Sequence, residues 1–310
     1  MAISAKELPL GKVFTPDFRF TIPSFQRAYI WKTENILQLV SDLDDACKSP
    51  GTPYFLGSLI LVREGDNRYD VIDGQQRLVS LSIIIAVLRD LERDPDLMRQ
   101  LDALLVEPGD NHPGVDLILP DYTYVLENAD KLRGIVTEPR LTLRERDAAF
   151  FREHVQEDNL ESVFDMNDDD LATAAQRNIV ANIRKTYDEI SNWSDAGRQQ
   201  FAQYLVNEVT LVIVTTDDLD GAHRIFDVMN MRGLPLTSSD VFKARATAGL
   251  STAELDVYAA RWDDIIDPIG DDPHDCEEFF AYLHLVLTHK PATDKLIEDF
   301  LADVLQPYID

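Results

Sequence analysis

Hydrophobic and polar positions change period several times along the chain. Residues 18–22 (FRFTI) alternate like a short strand and stop at Pro23. Between 35 and 47, Ile36, Leu37, Val40, Leu43 and Ala46 recur at helical spacing, and Pro50, Gly51 and Pro53 break the pattern. Residues 54–62 (YFLGSLILV) form an apolar run of strand length. A polar turn over 63–68 and a second run over 69–72 complete a predicted hairpin. The segment 78–91 is apolar almost all round, which predicts a helix buried on most sides.

From about 92 to 203 the pattern becomes helical with one polar face, over 95–105, 143–155 and 171–193, and a Pro-, Gly- and Asp-rich loop falls over 107–121. Asp168, Asp169 and Asp170 are candidate caps for the helix after them. Residues 209–216 (VTLVIVTT) are β-branched and predict a return strand. A helix over 222–229, a Gly/Pro loop, a helix from about Ser239 and a helical last 60 residues follow. The fold class expected is α/β at the N-terminus and α+β, mostly helical, overall.

Charge divides the chain further. The 310 residues carry 29 Lys plus Arg against 56 Asp plus Glu, a net of −27, with 45% apolar residues. That apolar content is the mark of a folded chain. Residues 1–90 hold ten basic and eleven acidic groups, leaving a net of −26 for the remaining 220. Solvated acidic helix faces explain this distribution, and so does an N-terminal part that alone faces an anionic ligand. With only Cys47 and Cys276, a disulfide framework and a cysteine-rich zinc site are excluded. No apolar run reaches bilayer length and no secretory pattern opens the chain, so a cytoplasmic protein without a membrane partner is expected. The phosphate-binding Gly-x-x-x-x-Gly-Lys pattern, the dinucleotide fingerprint, the His-Glu-x-x-His zinc motif and the Gly-x-Ser-x-Gly elbow are all missing.

Three constellations carry candidate chemistry. Asp73, Gly74, Gln75, Gln76 and Arg77 stand between a strand and a long helix, where free N–H groups and the helix dipole favour an anion. Gly74 would let the backbone approach a ligand, Asp73 could hold magnesium or orient water, and Arg77 could grip a phosphate. The same letters fit a capped helix start with Arg77 paired to an acid. In the second, residues 22–31 (IPSFQRAYIW), Gln26 and Arg27 lie among Phe25, Tyr29 and Trp31. They suit a phosphate with a stacked base, or core aromatics beside a snorkelling arginine. The third crowds Asn230, Arg232, Asp240 and Lys243 round one loop, which also reads as an ordinary capped helix junction.

In this order, IPSFQRAYIW, YFLGSLIL, YDVIDGQQRLVSL and IFDVMNMRGLPLTSSDVFKA resemble the N-terminal domain of the GmrSD type IV restriction enzymes, over about residues 9–245. The resemblance implies a ParB/sulfiredoxin-like small mixed sheet over 1–92, bearing both motifs. It implies a helical insertion over 93–205, a return strand and helix–loop–helix over 206–245, and a helical segment over 246–310 that stops before a nuclease. It also implies GTP or ATP binding and hydrolysis, with Asp73, Gln75, Gln76 and Arg77 catalytic and magnesium on Asp73. Gln26, Arg27, Tyr29, Gly74, Asn230, Arg232, Asp240 and Lys243 are expected to bind nucleotide or DNA, and a nuclease domain or subunit is the expected partner. Two alternatives stay open: a non-hydrolysing sensor of modified, for example phosphorothioated, DNA, and an acidic protein-interaction scaffold. Phe25 stands where the family commonly has Tyr, and Val79-Ser80 where it has Thr-Thr.

Overall fold

The computed structural model describes residues 3–49, 51, 53–108, 137–157, 159–218, 221–222, 225, 238–247, 250, 252–266, 268–269, 273–293 and 295–306. Most of the loop expected over 107–121, most of the helix expected over 222–229, and both Asn230 and Arg232 lie outside the described residues.

The chain starts with β1 (Ser4–Pro9), a short helix α1 (Leu10–Val13), β2 (Arg19–Thr21) and α2 (Thr33–Cys47). The hairpin β3 (Tyr54–Arg63) and β4 (Arg68–Asp73) comes next, then α3 (Gln75–Leu91) and α4 (Pro95–Ala103). β5 (Val106–Pro108) and β6 (Thr137–Pro139) pair only with each other, and the two-residue β7 (Leu141–Thr142) leads into α5 (Glu145–Phe151). After short 3-10 turns come α6 (Ala174–Ser191), α7 (Asp195–Asn207) and β8 (Val209–Thr216). Four helices close the described chain: α8 (Ser238–Thr247), α9 (Thr252–Ile266), α10 (Pro273–Thr288) and α11 (Leu296–Phe300).

A mixed six-stranded sheet runs in the order β1-β8-β3-β4-β2-β7. Strand alternation sorts its side chains: Leu59, Leu61 and Val71 enter the main core, while Ile60, Val62 and Ile72 form a small cluster on the other face with Ala222, Phe25 and Ile225. α3 lies in the main core with Leu78, Leu81, Ile84, Ile85 and Leu88 buried, packed on α4 and α6. A helix covered on so many sides cannot carry a polar stripe, which is why its sequence is apolar all round. The last four helices share an aromatic core of Phe242, Phe280 and Phe300, with Trp262 against it.

Three features differ from the sequence reading. β1 pairs antiparallel with β8 from Ser4 opposite Thr215 to Pro9 opposite Thr210, although SAKELP has almost no apolar signal. It is an exposed edge strand, held by backbone bonds and not by burial. The segment 93–205 is not wholly helical, because β7 joins the sheet beside β2, with Phe20 opposite Leu141. Asp168–Asp170 forms its own 3-10 turn, capped by Asn167, and Thr173 caps α6 by accepting from Gln176 N at 3.0 Å. No helix among the described residues is long and apolar enough to cross a membrane.

Candidate functional site

Parallel strands decide what meets what. β4, β2 and β7 are neighbours and run in the same direction, so their C-terminal ends leave the sheet at one edge. β4 delivers Gly74 and the start of α3; β2 delivers residues 22–31; β7 delivers Leu143, Arg144 and Asp147. Crevices outside the carboxyl ends of parallel strands are where α/β sheets receive ligands. A cavity of about 10 Å³, room for one water, lies there. Arg27, Gln75, Gln76, Arg144 and Asp147 are its polar walls, and Tyr29 is among the others.

Gln76 holds the aromatic loop. Its Oε1 accepts from Ile30 N at 2.9 Å and Trp31 N at 3.3 Å, and its Nε2 donates to Ala28 O at 2.9 Å. Gln26 Nε2 donates to Ile72 O at 3.2 Å, fastening the same loop to the end of β4. Tyr29 is 4% exposed. Its hydroxyl shares a proton with Ser80 Oγ at 2.7 Å and accepts from Asn182 Nδ2 at 2.8 Å, while burial pushes its pKa up. The Tyr29 ring is therefore held in the core beside the cavity, with its hydroxyl already partnered.

Arg77 is half-buried and committed. It reaches Asp73 at 3.2 Å and donates to Leu56 O at 3.3 Å across a bulge in β3, where the register with β8 shifts between Phe55 and Gly57. Gly57 has φ +124, and a Cβ there would sit 2.0 Å from Arg77 Nη1, so the missing side chain is the slot for the guanidinium. Burial pulls the Arg77 pKa down, and the Asp73 charge opposes that shift. Gly74 has φ +95, and the space of its missing Cβ is taken by Leu59, with Cδ2 2.2 Å away. Backbone sign and packing against β3 are enough to require glycine there.

Gln75 and Arg27 are the uncommitted groups. Gln75 is 6% exposed, lines the cavity, and its Oε1 has no hydrogen-bond partner among the described residues. Gly74 supplies no side-chain cap to α3, whose first backbone bond is Leu78 N to Gly74 O at 3.0 Å. No described side chain accepts from the N–H groups of Gln75, Gln76 and Arg77, so they keep the partial positive charge of a helix start. Arg27 forms no ion pair with a described acid.

Arg144, Asp147 and Asp263 escaped the sequence reading. Arg144 Nη1 donates to Asp263 Oδ2 at 2.6 Å and to Gln26 O at 3.4 Å, and Nη2 to Asp147 Oδ2 at 3.3 Å. Their only sequence signal is Leu141 and Leu143 alternating before an Arg and an Asp three apart, hidden beside a helical pattern. Lys243 does not reach the cavity: it donates to Asp263 Oδ1 at 2.7 Å from behind, and burial pulls its pKa down. Asp240 stands half-buried on α8, near enough for its charge to act on Lys243. Magnesium is the metal expected on Asp73. Asp73 pairs with Arg77, and no group of three or more His, Cys, Asp or Glu that could hold a metal ion lies together among the described residues.

Comparison with known proteins bears on the whole arrangement. Short stretches are similar to Ribonuclease J 2 of Staphylococcus aureus strain NCTC 8325 / PS 47, 38% identical over 78 residues, 25% of this chain and 13% of that protein. For the protein of the same name in Staphylococcus saprophyticus the figures are 52% over 40 residues, 13% and 7%. The chain thus spans 13% or less of the length of these curated relatives, and the likeness is local. The family model for the GmrSD restriction endonuclease, N-terminal domain, instead matches residues 10–247, which takes in the sheet from β2 to β8 and all three strand ends at the cavity. The chain belongs to the GmrSD restriction endonuclease N-terminal domain family.

Proposed function

We propose that this chain binds a nucleoside triphosphate at the edge formed by β4, β2 and β7, and hydrolyses it as the regulatory step of a restriction or anti-phage defence protein. The observation that carries this reading is the start of α3. Among the described residues its first-turn N–H groups have no side-chain cap and Arg27, on the same cavity, pairs with no acid, while the buried Oε1 of Gln75 has no partner and is an acceptor left for a water. Uncompensated donors and one cation at a helix start are a receptor for phosphate oxygens.

Roles follow from what each group has left to give. Gln76 is consumed by the loop it holds, so Gln75 is the amide available to orient an attacking water. Arg27 would neutralise charge as it develops on the phosphoryl group. Arg77 acts at one remove, by fixing Asp73 and the bulge of β3. A cavity with room for one water must open to admit a nucleotide, and residues 22–31 are the wall whose movement would open it. No step here depends on a metal. Family membership supports the restriction setting, with DNA and a nuclease unit as partners.

Phosphate release from GTP and from ATP tests the reading. Gln75→Ala is expected to lower the rate about 100-fold, and Arg27→Ala by a similar factor. Thermal stability of the free Gln75→Ala protein should not fall, since the amide oxygen it removes has no partner among the described residues. Equal rates in wild type and both variants would sink the catalytic assignment. A sensor of modified DNA without turnover has less support, because Tyr29 is buried and clamped; specific, salt-resistant binding of modified duplex with no phosphate release would favour it.

A further inference from the structure

The match to the family ends at residue 247, yet a carboxylate from beyond it reaches the cavity wall. Asp263 of α9 holds Arg144 at 2.6 Å and Lys243 at 2.7 Å, with side chains of all three at most 14% exposed. A second link between the same parts, Arg146 to Asp264 at 2.7 Å, is more exposed. Exposed pairs contribute little, whereas removing one partner of a buried pair is costly, so Asp263 dominates the junction. Arg144, Lys243, Asp147 and Asp263 sum to zero charge. Arg144 therefore faces the cavity already neutralised.

The two carboxylates on Arg144 are not equivalent. Asp147 belongs to α5, three residues away, and its other oxygen accepts from Thr173 Oγ1 at 2.7 Å. Asp263 is the carboxylate that comes from outside the family domain. An anion resting on Arg27 and the start of α3 lies along the wall that Arg144 completes, and its oxygens are chemically equivalent to those of Asp263 as acceptors for a guanidinium.

We propose that Arg144 is a second anion-contacting residue of the cavity and that Asp263 competes with the bound anion for it. Filling the cavity then loosens the seat of α9, and loosening α9 strengthens binding, because coupling between two equilibria is reciprocal. The identity of the anion, a triphosphate, rests on the function proposed above; the competition rests on the contacts of Arg144.

The test uses the full chain and three variants: Asp263→Asn, Arg144→Met, and Asp263→Asn combined with Lys243→Met, which avoids stranding a buried ammonium. Inorganic tripolyphosphate and a non-hydrolysable GTP or ATP analogue are titrated by calorimetry, and hydrogen exchange is followed over 252–266. Both Asp263 variants should bind about fivefold tighter or better, and Arg144→Met more weakly than wild type. Exchange over 252–266 should rise in the wild type on binding and be already fast in the unliganded Asp263 variants. Unchanged or weaker binding by both Asp263 variants overturns the competition while leaving the nucleotide reading intact. So does exchange over 252–266 that the ligand does not move. If no form binds either compound, the nucleotide reading fails and the competition with it.

Discussion

At the scale of single residues, environment decides which member of a motif is free to act. Asp73, Gln75, Gln76 and Arg77 are adjacent in sequence, but Gln76 and Arg77 are bound to backbone and to Asp73, and Gln75 is left over. No periodicity reports that division, because apart from Asp73 the partners of Gln76 and Arg77 come from residues 28–31 and 56. A pH prediction also belongs here. Half-buried on β4 near Glu64, the Asp70 carboxyl is pushed up to about 6, by desolvation first and by Glu64 second. Unfolded Asp titrates near 3.9, so between about pH 4 and 6 the folded chain binds more protons and stability from this group falls as pH rises. Asp70→Asn should add about 1 kcal/mol at pH 7 after allowance for solvent screening, and the gain should vanish at pH 4. Urea unfolding of both proteins at the two pH values checks this, and an equal gain at both would exclude the titration as its cause.

At the scale of elements, the most legible parts were those whose burial is one-sided or total. The hairpin of β3 and β4, α3 and β8 were each readable from a run of apolar residues, since the core demands such runs. β1 and β7 were not readable, because edge and two-residue strands are specified by their neighbours' backbone groups. β7 matters most, since it brings Arg144 to the sheet edge beside the two motifs. The clamp of residues 28–31 by Gln76 gives an element-level prediction. Gln76→Ala should cost about 2 kcal/mol, as two half-buried N–H groups and one carbonyl lose their partner. Gln76→Glu, which keeps the acceptor but turns a carboxylate oxygen towards Ala28 O, should cost at least as much. Denaturant melts of both variants measure it; a loss for Gln76→Ala well under 1 kcal/mol would mean that Asn178, Asn182 and Gln26 hold the loop without it.

At the scale of the whole molecule, acidity is unevenly divided. Residues 248–310 contain fifteen acidic and three basic groups, whereas residues 1–90 are close to neutral. Even there the bases are not all available: Arg89 is buried and spends its donors on the carbonyls of Gln156 and Glu157 and on Asp102. Self-repulsion at a net −27 destabilises the folded chain. Raising salt from about 0.01 M to about 0.15 M should therefore raise the melting temperature, and a fall would show that the ion pairs of Arg144 and Lys243 outweigh the repulsion. The sequence by itself determined the elements with strong apolar period, the charge division, and a motif order specific enough to indicate the family. Those are properties of local spacing and composition, which a linear chain carries in full. Only the tertiary structure decided that β4, β2 and β7 end at one edge, that the buried Oε1 of Gln75 has no partner among the described residues, and that Asp263 from beyond residue 247 holds Arg144. Each joins residues far apart in sequence through packing and backbone pairing, and no local pattern encodes such a meeting.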